Sequence, residues 1–372
     1  MRITCQRLAL ADAFQTVSGV LPTRTPRDVL QSVKFEIKDG RGSLLATDLE
    51  IGVRYELPEV ESDAEGALLL PTSEFASILR ETESETVVLE VDGDVIWVRC
   101  GPQSEFKLGA KDPSEFPPVA GFEEERYFVV GASDLRQAIR RTVFATDVES
   151  TRYALGGVLL EFQTDVLRMV ATDGRRLARV ELPFRSEGLE APENDHPIIP
   201  SKALTLVERS IDEQRDEEVR LTVHSSEALV QSGPATVSCR LLEGRFPPYR
   251  EAIPKAFKYK VDLPCAAFHR AVRQAQIVVD AETRGVDFFF TRDLLTLRSA
   301  AADRGEAKVE CPIAFDGDDL VIRFDPQYLV EFLRVLDPGT NLTLQLIDGE
   351  SAAQFTTEDG YLYLVMPLER PK

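Results

Sequence analysis

Three histidines, five cysteines and one Thr-Asp-Gly turn are where chemistry would have to begin in this chain. His196, His224 and His269 have no metal-ligand spacing, and no H-E-x-x-H helix is present. Cys5, Cys100, Cys239, Cys265 and Cys311 are scattered with no C-x-x-C pair, a pattern that predicts buried free thiols in a reducing compartment. The phosphate-cradling G-x-x-x-x-G-K-[ST] loop, the dinucleotide G-x-G-x-x-G and the nucleophile elbow G-x-S-x-G are all missing. Asp173, in Thr172-Asp173-Gly174, is the one carboxylate that could be imagined as catalytic. A tight Asp-Gly turn accounts for it better, and Asp48 holds the equivalent place earlier in the chain. The residues therefore predict no catalytic group, no metal and no cofactor. A hydrolase using Asp173 would lack a base, a metal or a nucleophile beside it.

The elements that carry these residues come in three copies. Ala46-Thr47-Asp48, followed by LEIGVRYEL, returns as Ala171-Thr172-Asp173, followed by GRRLARVEL, 125 positions on. A fainter copy runs from Ser299 to Cys311, with Asp303-Arg304-Gly305 at its turn. Pro71, Pro200 and Pro326 each open an amphipathic segment, spaced by 129 and 126 positions. Proline suits a helix start, where its missing N–H would have no intrahelical partner. Glu115-Phe116-Pro117-Pro118 returns as Arg245-Phe246-Pro247-Pro248, 130 positions on. Agreement of the three markers predicts triplication.

Each copy also opens on a helix, predicted over Gln6–Val17, Ser133–Ala145 and Pro264–Val278, with Ser133 as an N-cap. Between helices lie short strands such as 32–37, 86–91, 221–223 and 342–346. Turns at Asp39-Gly40, Asp92-Gly93 and Asp348-Gly349 separate them. The fold class is α+β, with three repeated domains of two helices on antiparallel sheet. Boundaries are expected near Gly121–Arg126 and Pro254-Lys255, giving domains 1–125, 126–254 and 255–372.

A length of 372 residues suits two or three cores, and 43% apolar with 28% charged residues is globular composition. The N-terminus has no signal-peptide core and no apolar run approaches a membrane span, so a soluble cytoplasmic protein without a membrane partner is expected. The net charge of −20 argues against an overall basic nucleic-acid binder. Positive charge is nevertheless gathered on the helices. Arg136, Arg140 and Arg141 lie opposite the Leu135/Ile139/Val143 stripe, and Arg270 and Arg273 are neighbours at i, i+3. Arg80, Lys202 and Arg209 sit on the proline-led helices, and Arg24 and Arg27 in the Pro22–Arg27 loop. Such helices could give an acidic protein a mildly basic lining that contacts phosphates and not base edges. Glu74, Glu81, Glu208 and Glu331 on the same helices keep that lining weak.

The segments GGVLLEF (156–162), VATDGRRLARVEL (170–182), EGRFPPYREAIP (243–254) and YLYLVMPLE (361–369) together resemble the bacterial replicative sliding clamps, the beta subunits of DNA polymerase III. The likeness runs through the whole chain in order. It implies head-to-tail homodimers of three-domain subunits, a six-domain ring with helices inside and sheet outside, held on double-stranded DNA by topology. It also implies non-catalytic processivity for the polymerase. A peptide pocket between the second and third domains would take short Leu- and Phe-anchored motifs of the polymerase III alpha subunit, the clamp loader, other polymerases and repair proteins.

Carried over position by position, the pocket wall would be Arg152, Leu155, Thr172, Gly174, Arg175, Arg176 and Leu177. Its floor and far side would be Pro247, Ala252, Tyr328, Leu364, Met366, Pro367 and Leu368. Aliphatic groups and a flexible Met suit varied apolar anchors, and arginines at the rim suit acidic or carbonyl groups. The DNA-facing set would be Arg24, Arg80, Arg136, Arg140, Lys202, Arg270 and Arg273. Two departures stand out. Ala252 replaces a larger aliphatic, predicting a roomier pocket, and the tail Glu369-Arg370-Pro371-Lys372 adds an acid near the rim. The competing reading is an acidic three-repeat interaction protein that recruits partners without encircling DNA.

Overall fold

A computed structural model of the chain describes residues 1–147, 149, 153–190, 196–212, 214, 217–279 and 284–369. Among the described residues six α-helices occur, two per repeat: α1 (Arg7–Ser18), α2 (Thr72–Glu81), α3 (Ala132–Val143), α4 (Ser201–Ser210), α5 (Cys265–Gln276) and α6 (Pro326–Arg334). The strands between them pair antiparallel. The three-repeat α+β reading of the sequence holds.

The chain packs as two compact units. The first comprises Met1–Arg136, Phe184–Ala191 and Lys202–Leu241. One of its sheets orders Glu61–Ser62, Arg2–Gln6, Thr86–Asp92, Val95–Arg99 and Glu105–Gly109. In another, Gly66–Pro71, Ser32–Lys38, Arg41–Thr47, Ile51–Leu57 and Ala235–Arg240 follow one another. Both α1 and α2 turn an apolar face inward, and the buried Phe14 and Phe75 meet edge to face at 5.0 Å.

The second unit comprises Gln137–Pro183, Pro192–Ser201 and Leu242–Lys372. A sheet runs through Tyr259–Pro264, Asn341–Leu346, Ala353–Thr356 and Leu362–Val365 to the Arg176–Pro183 stretch of strand Arg176–Glu187, then to Val166–Thr172 and Gly157–Gln163. Its core is aromatic: Phe332 stacks on Tyr363 at 4.3 Å, and Phe355 packs against both.

The predicted helices appear with shifted ends. Ser133 is not an N-cap, because α3 already begins at Ala132, whose N–H donates to the Glu217 carbonyl at 3.0 Å. The proline signal divides in two. Pro326 stands in the first turn of α6 behind Asp325, whose carboxylate accepts the Gln327 N–H at 2.9 Å. Pro71 and Pro264 instead remain extended, as the last residue of a strand and the cap of the helix after it. A φ fixed near −65° serves both states, so proline marks the junction and not the first helical residue. At Asp39-Gly40 both residues adopt positive φ, 50° and 71°, the two-residue hairpin turn that Asp-Gly favours.

Candidate functional site

The Thr-Asp turn of repeat two is built from its own hydrogen bonds. Thr172 Oγ1 donates to the Arg176 carbonyl at 2.6 Å and accepts the Gly174 N–H at 3.1 Å. Asp173 Oδ1 accepts the N–H groups of Arg175 and Arg176 at 2.8 and 3.0 Å. Gly174 sits at φ 87°, open to glycine and strained for other residues. Asp173 is thus a turn residue. Among the described residues no group of three or more potential metal ligands gathers anywhere.

The turn forms one side of a cavity of about 240 Å³. Leu155 and Leu177 give it an apolar floor, with Thr172, Gly174, Arg175 and Arg176 beside them. Pro247, Pro248, Tyr249 and Ala252 make a second wall, and Ala352, Leu364 and Met366 a third. Register explains the third wall. Leu364 pairs directly with Leu177, and the Met366 N–H donates to the Arg175 carbonyl at 2.8 Å. Met366 is left 47% exposed, a flexible apolar side chain at the mouth.

Most of the pocket residues expected from sequence therefore lie together, with Ala252 on the lining. Pro248, Tyr249 and Ala352 join them, and none of the three is in the pocket set that the resemblance implies. Tyr328, Pro367 and Leu368 do not line this cavity among the described residues. Tyr328 lies under the Arg176 guanidinium at 4.6 Å, and the Leu368 N–H is tied to the Arg323 carbonyl at 2.8 Å. Arg152 and the tail residues Arg370 to Lys372 lie outside the described residues.

Arg176 differs most from expectation. It is no free rim arginine. Its guanidinium bonds Asp173 Oδ2 at 3.0 Å and the Phe144 carbonyl at 2.7 Å, pairs with Glu331, and packs over the Phe144 and Tyr328 rings. Its donors are committed to holding the turn against α6, leaving the exposed Arg175 as the rim cation.

Behind the second wall a carboxylate is buried. Glu161, with its side chain 5% exposed, accepts at one oxygen from the Tyr249 hydroxyl and Arg250 at 2.8 Å each and from Arg168 at 3.0 Å. Desolvation, the largest single effect, pushes this carboxyl up, but the three donors together hold it below the ordinary glutamate value.

The basic residues named from sequence have separate fates. Arg24, Arg270 and Arg273 are exposed, and the last two line a groove with His269, Ile277 and Arg334. Arg80 pairs with Glu81 at 2.9 Å, Arg136 lies 4.0 Å from Glu208, and Lys202 bonds Asp48 at 2.5 Å and the Val20 carbonyl at 2.9 Å. Arg140 is exposed on α3. Arg141, read as facing solvent, is buried: it pairs with Asp359 at 2.6 Å and packs on Tyr361. An acid supplied from far along the chain makes that burial tolerable.

Comparison with known proteins follows the same division into repeats. Residues 1–120, 130–248 and 250–369 match, in order, the N-terminal, central and C-terminal domains of the DNA polymerase III beta subunit. The beta sliding clamp of Escherichia coli K12 is 28% identical over 371 residues, 99% of this chain and 100% of its own length. The beta subunit of Thermotoga maritima superposes with a TM-score of 0.90 at 25% identity, each chain covered fully. A sliding clamp from Pseudomonas aeruginosa, solved bound to griselimycin, superposes at 0.88 with 28% identity and full coverage of both chains.

Proposed function

The chain belongs to the family of DNA polymerase III beta subunits, the bacterial sliding clamps, and from that premise we propose that it encircles duplex DNA as a cytoplasmic, head-to-tail homodimeric ring. Its clamp domains would be residues 1–125, 126–254 and 255–372. It tethers the replicative polymerase without catalysing a step, and its cavity captures anchors from the polymerase III alpha subunit, the clamp loader, other polymerases and repair proteins.

The observation that carries this reading is the cavity beside the Thr172–Leu177 turn. An open apolar recess with one cation at its rim suits a hydrophobic side chain at the end of a peptide. Asp173, the one acid in the turn, is saturated by backbone N–H groups and Arg176. Weak contact with DNA agrees with the charge distribution. Of the residues proposed to face phosphate, Arg24, Arg140, Arg270 and Arg273 are exposed, while Arg80, Arg136 and Lys202 stand beside carboxylates that temper them. A ring needs no strong grip, since encircled DNA cannot leave sideways.

The test is topological. The protein should run near twice 41.5 kDa. Once placed on nicked circular DNA by a clamp loader and ATP, it should stay bound until the circle is cut, then slide off. Equal retention on circular and linear DNA would contradict encirclement and favour an interaction protein that only recruits.

A further inference from the structure

The triplication supplies an internal control for the cavity's second wall. Strand Gly157–Gln163 reads GVLLEFQ, with Glu161 the lone charge among buried apolar residues. The equivalent strand of repeat one, Ser32–Lys38, reads SVKFEIK and carries Glu36 at the same place, 125 positions earlier. Glu36 stays within its own sheet, bonded to Lys34 at 2.8 Å with Arg54 at 4.0 Å. Its side chain is 23% exposed against 5% for Glu161. Only in repeat two does the carboxylate reach the Phe-Pro-Pro loop, because Tyr249 stands there where repeat one has Val119, 130 positions earlier.

That loop is otherwise held at its start, where the Leu242 N–H donates to the Ile198 carbonyl at 2.9 Å, and by the partly buried Leu242, Phe246 and Ile253. Residues 241–248 join no sheet, and the short 3-10 turn Tyr249–Glu251 is closed by local bonds alone. Its one deep anchor is Tyr249, whose ring packs in the cluster with Leu177 and Leu364 and whose hydroxyl ends on Glu161. Arg250, the next residue, bonds the same oxygen. Burying a carboxylate is costly, and an apolar contact would fill the space more cheaply. What the carboxylate adds is direction: one oxygen fixes two consecutive residues of the loop.

We propose that Glu161 is a positioning residue for peptide capture, holding Tyr249 and Arg250 so that the Pro247–Ala252 wall stands prebuilt before a partner arrives. The inference rests on the cavity being the partner site. A wall already in place spares the partner the ordering of a loop, which raises affinity without a new contact.

The experiment measures binding of a synthetic hexapeptide ending in Leu-Phe to the full chain by calorimetry, together with amide exchange at Glu251 and Ala252. Tyr249→Phe deletes one hydroxyl and keeps the ring. It should weaken the peptide roughly fivefold, the scale of one hydrogen bond's net contribution, and speed exchange at those two amides. Glu161→Gln should weaken it at least as much, since Arg250 and Arg168 share that oxygen, and the double variant should be little worse than Glu161→Gln alone, because the Tyr249 hydroxyl acts through the same carboxylate. Glu36→Gln, the matching change in repeat one, should leave peptide affinity within twofold. If the native chain binds the peptide and Tyr249→Phe and Glu161→Gln bind it equally well, the positioning role is overturned. A native chain that does not bind at all overturns the pocket itself, a distinguishable result.

Discussion

Repeats one and two fold the same turn and use it differently. Thr47 Oγ1 donates to the Ile51 carbonyl at 2.8 Å and Asp48 Oδ1 accepts the N–H groups of Glu50 and Ile51, bond for bond the pattern of Thr172 and Asp173. Beyond the backbone they part. Asp48 reaches Lys202, two residues after Pro200 in the following repeat, whereas the turn of repeat two meets at the same place, two residues after Pro326 in repeat three, Tyr328 beneath Arg176. Where repeat two has Leu177 on the cavity floor, repeat one has Gly52, and a Cβ there would lie 2.9 Å from Val119 Cγ1. Val119 therefore packs over Gly52 at the place that repeat two gives to Leu177, while Tyr249 is held by Glu161. The two turns share a backbone frame and differ in the side chains set on it.

The largest difference between the two turns should appear when their cations are removed. Arg176→Ala strips partners from Asp173, Glu331 and the Phe144 carbonyl in a site where the guanidinium is 8% exposed, and should cost about 3–5 kcal/mol in denaturant unfolding. Lys202→Ala removes a pair whose cation is 47% exposed and should cost under about 1 kcal/mol. Equal losses would mean that the two turns are not differently loaded.

The turns can also be exchanged. Leu49 holds φ 84° where repeat two has Gly174 at 87°. Leu49→Gly should raise stability by roughly 1 kcal/mol by relieving that strain, and Gly174→Leu should lower it by a similar amount. A stabilising Gly174→Leu would show that the conformation costs nothing.

Acid should act next on the wall that Glu161 holds. The Glu161 carboxyl is held below its ordinary value, so its contribution is complete above pH about 4.5 and lost as pH falls through its folded value. Peptide affinity should hold flat from neutral pH to about 4.5 and decline below it. A decline centred near pH 6 would point to another group. The smallest effect concerns the thiols. All five cysteines are buried, and burial pushes Cys5 and Cys239 up to about 12, so the native chain should resist alkylation at pH 8 and react once unfolded.

Much of this was legible in the residues. The proline-led helices, the Thr-Asp turns and the Phe-Pro-Pro loops are local signals repeated at one period, and repetition made each readable through the others. What escaped depends on partners distant in sequence. Arg141 reads as a solvent-facing helix cation until Asp359 is placed beside it, and Arg176 reads as a rim group until Glu331 and two rings enclose it. Glu161 left a usable trace, a charge in the middle of an apolar strand that recurs at Glu36, but only the fold joins it to Tyr249.

The cavity beside the Thr172–Leu177 turn is proposed as the anchor site for partner peptides. Calorimetric titration with the hexapeptide ending in Leu-Phe decides this, using the native chain and Ala252→Trp, a change at an exposed lining position that fills the cavity without touching the core. One peptide should bind per chain, with binding lost in Ala252→Trp at unchanged thermal stability. Two peptides per chain, or full binding by Ala252→Trp, would contradict it.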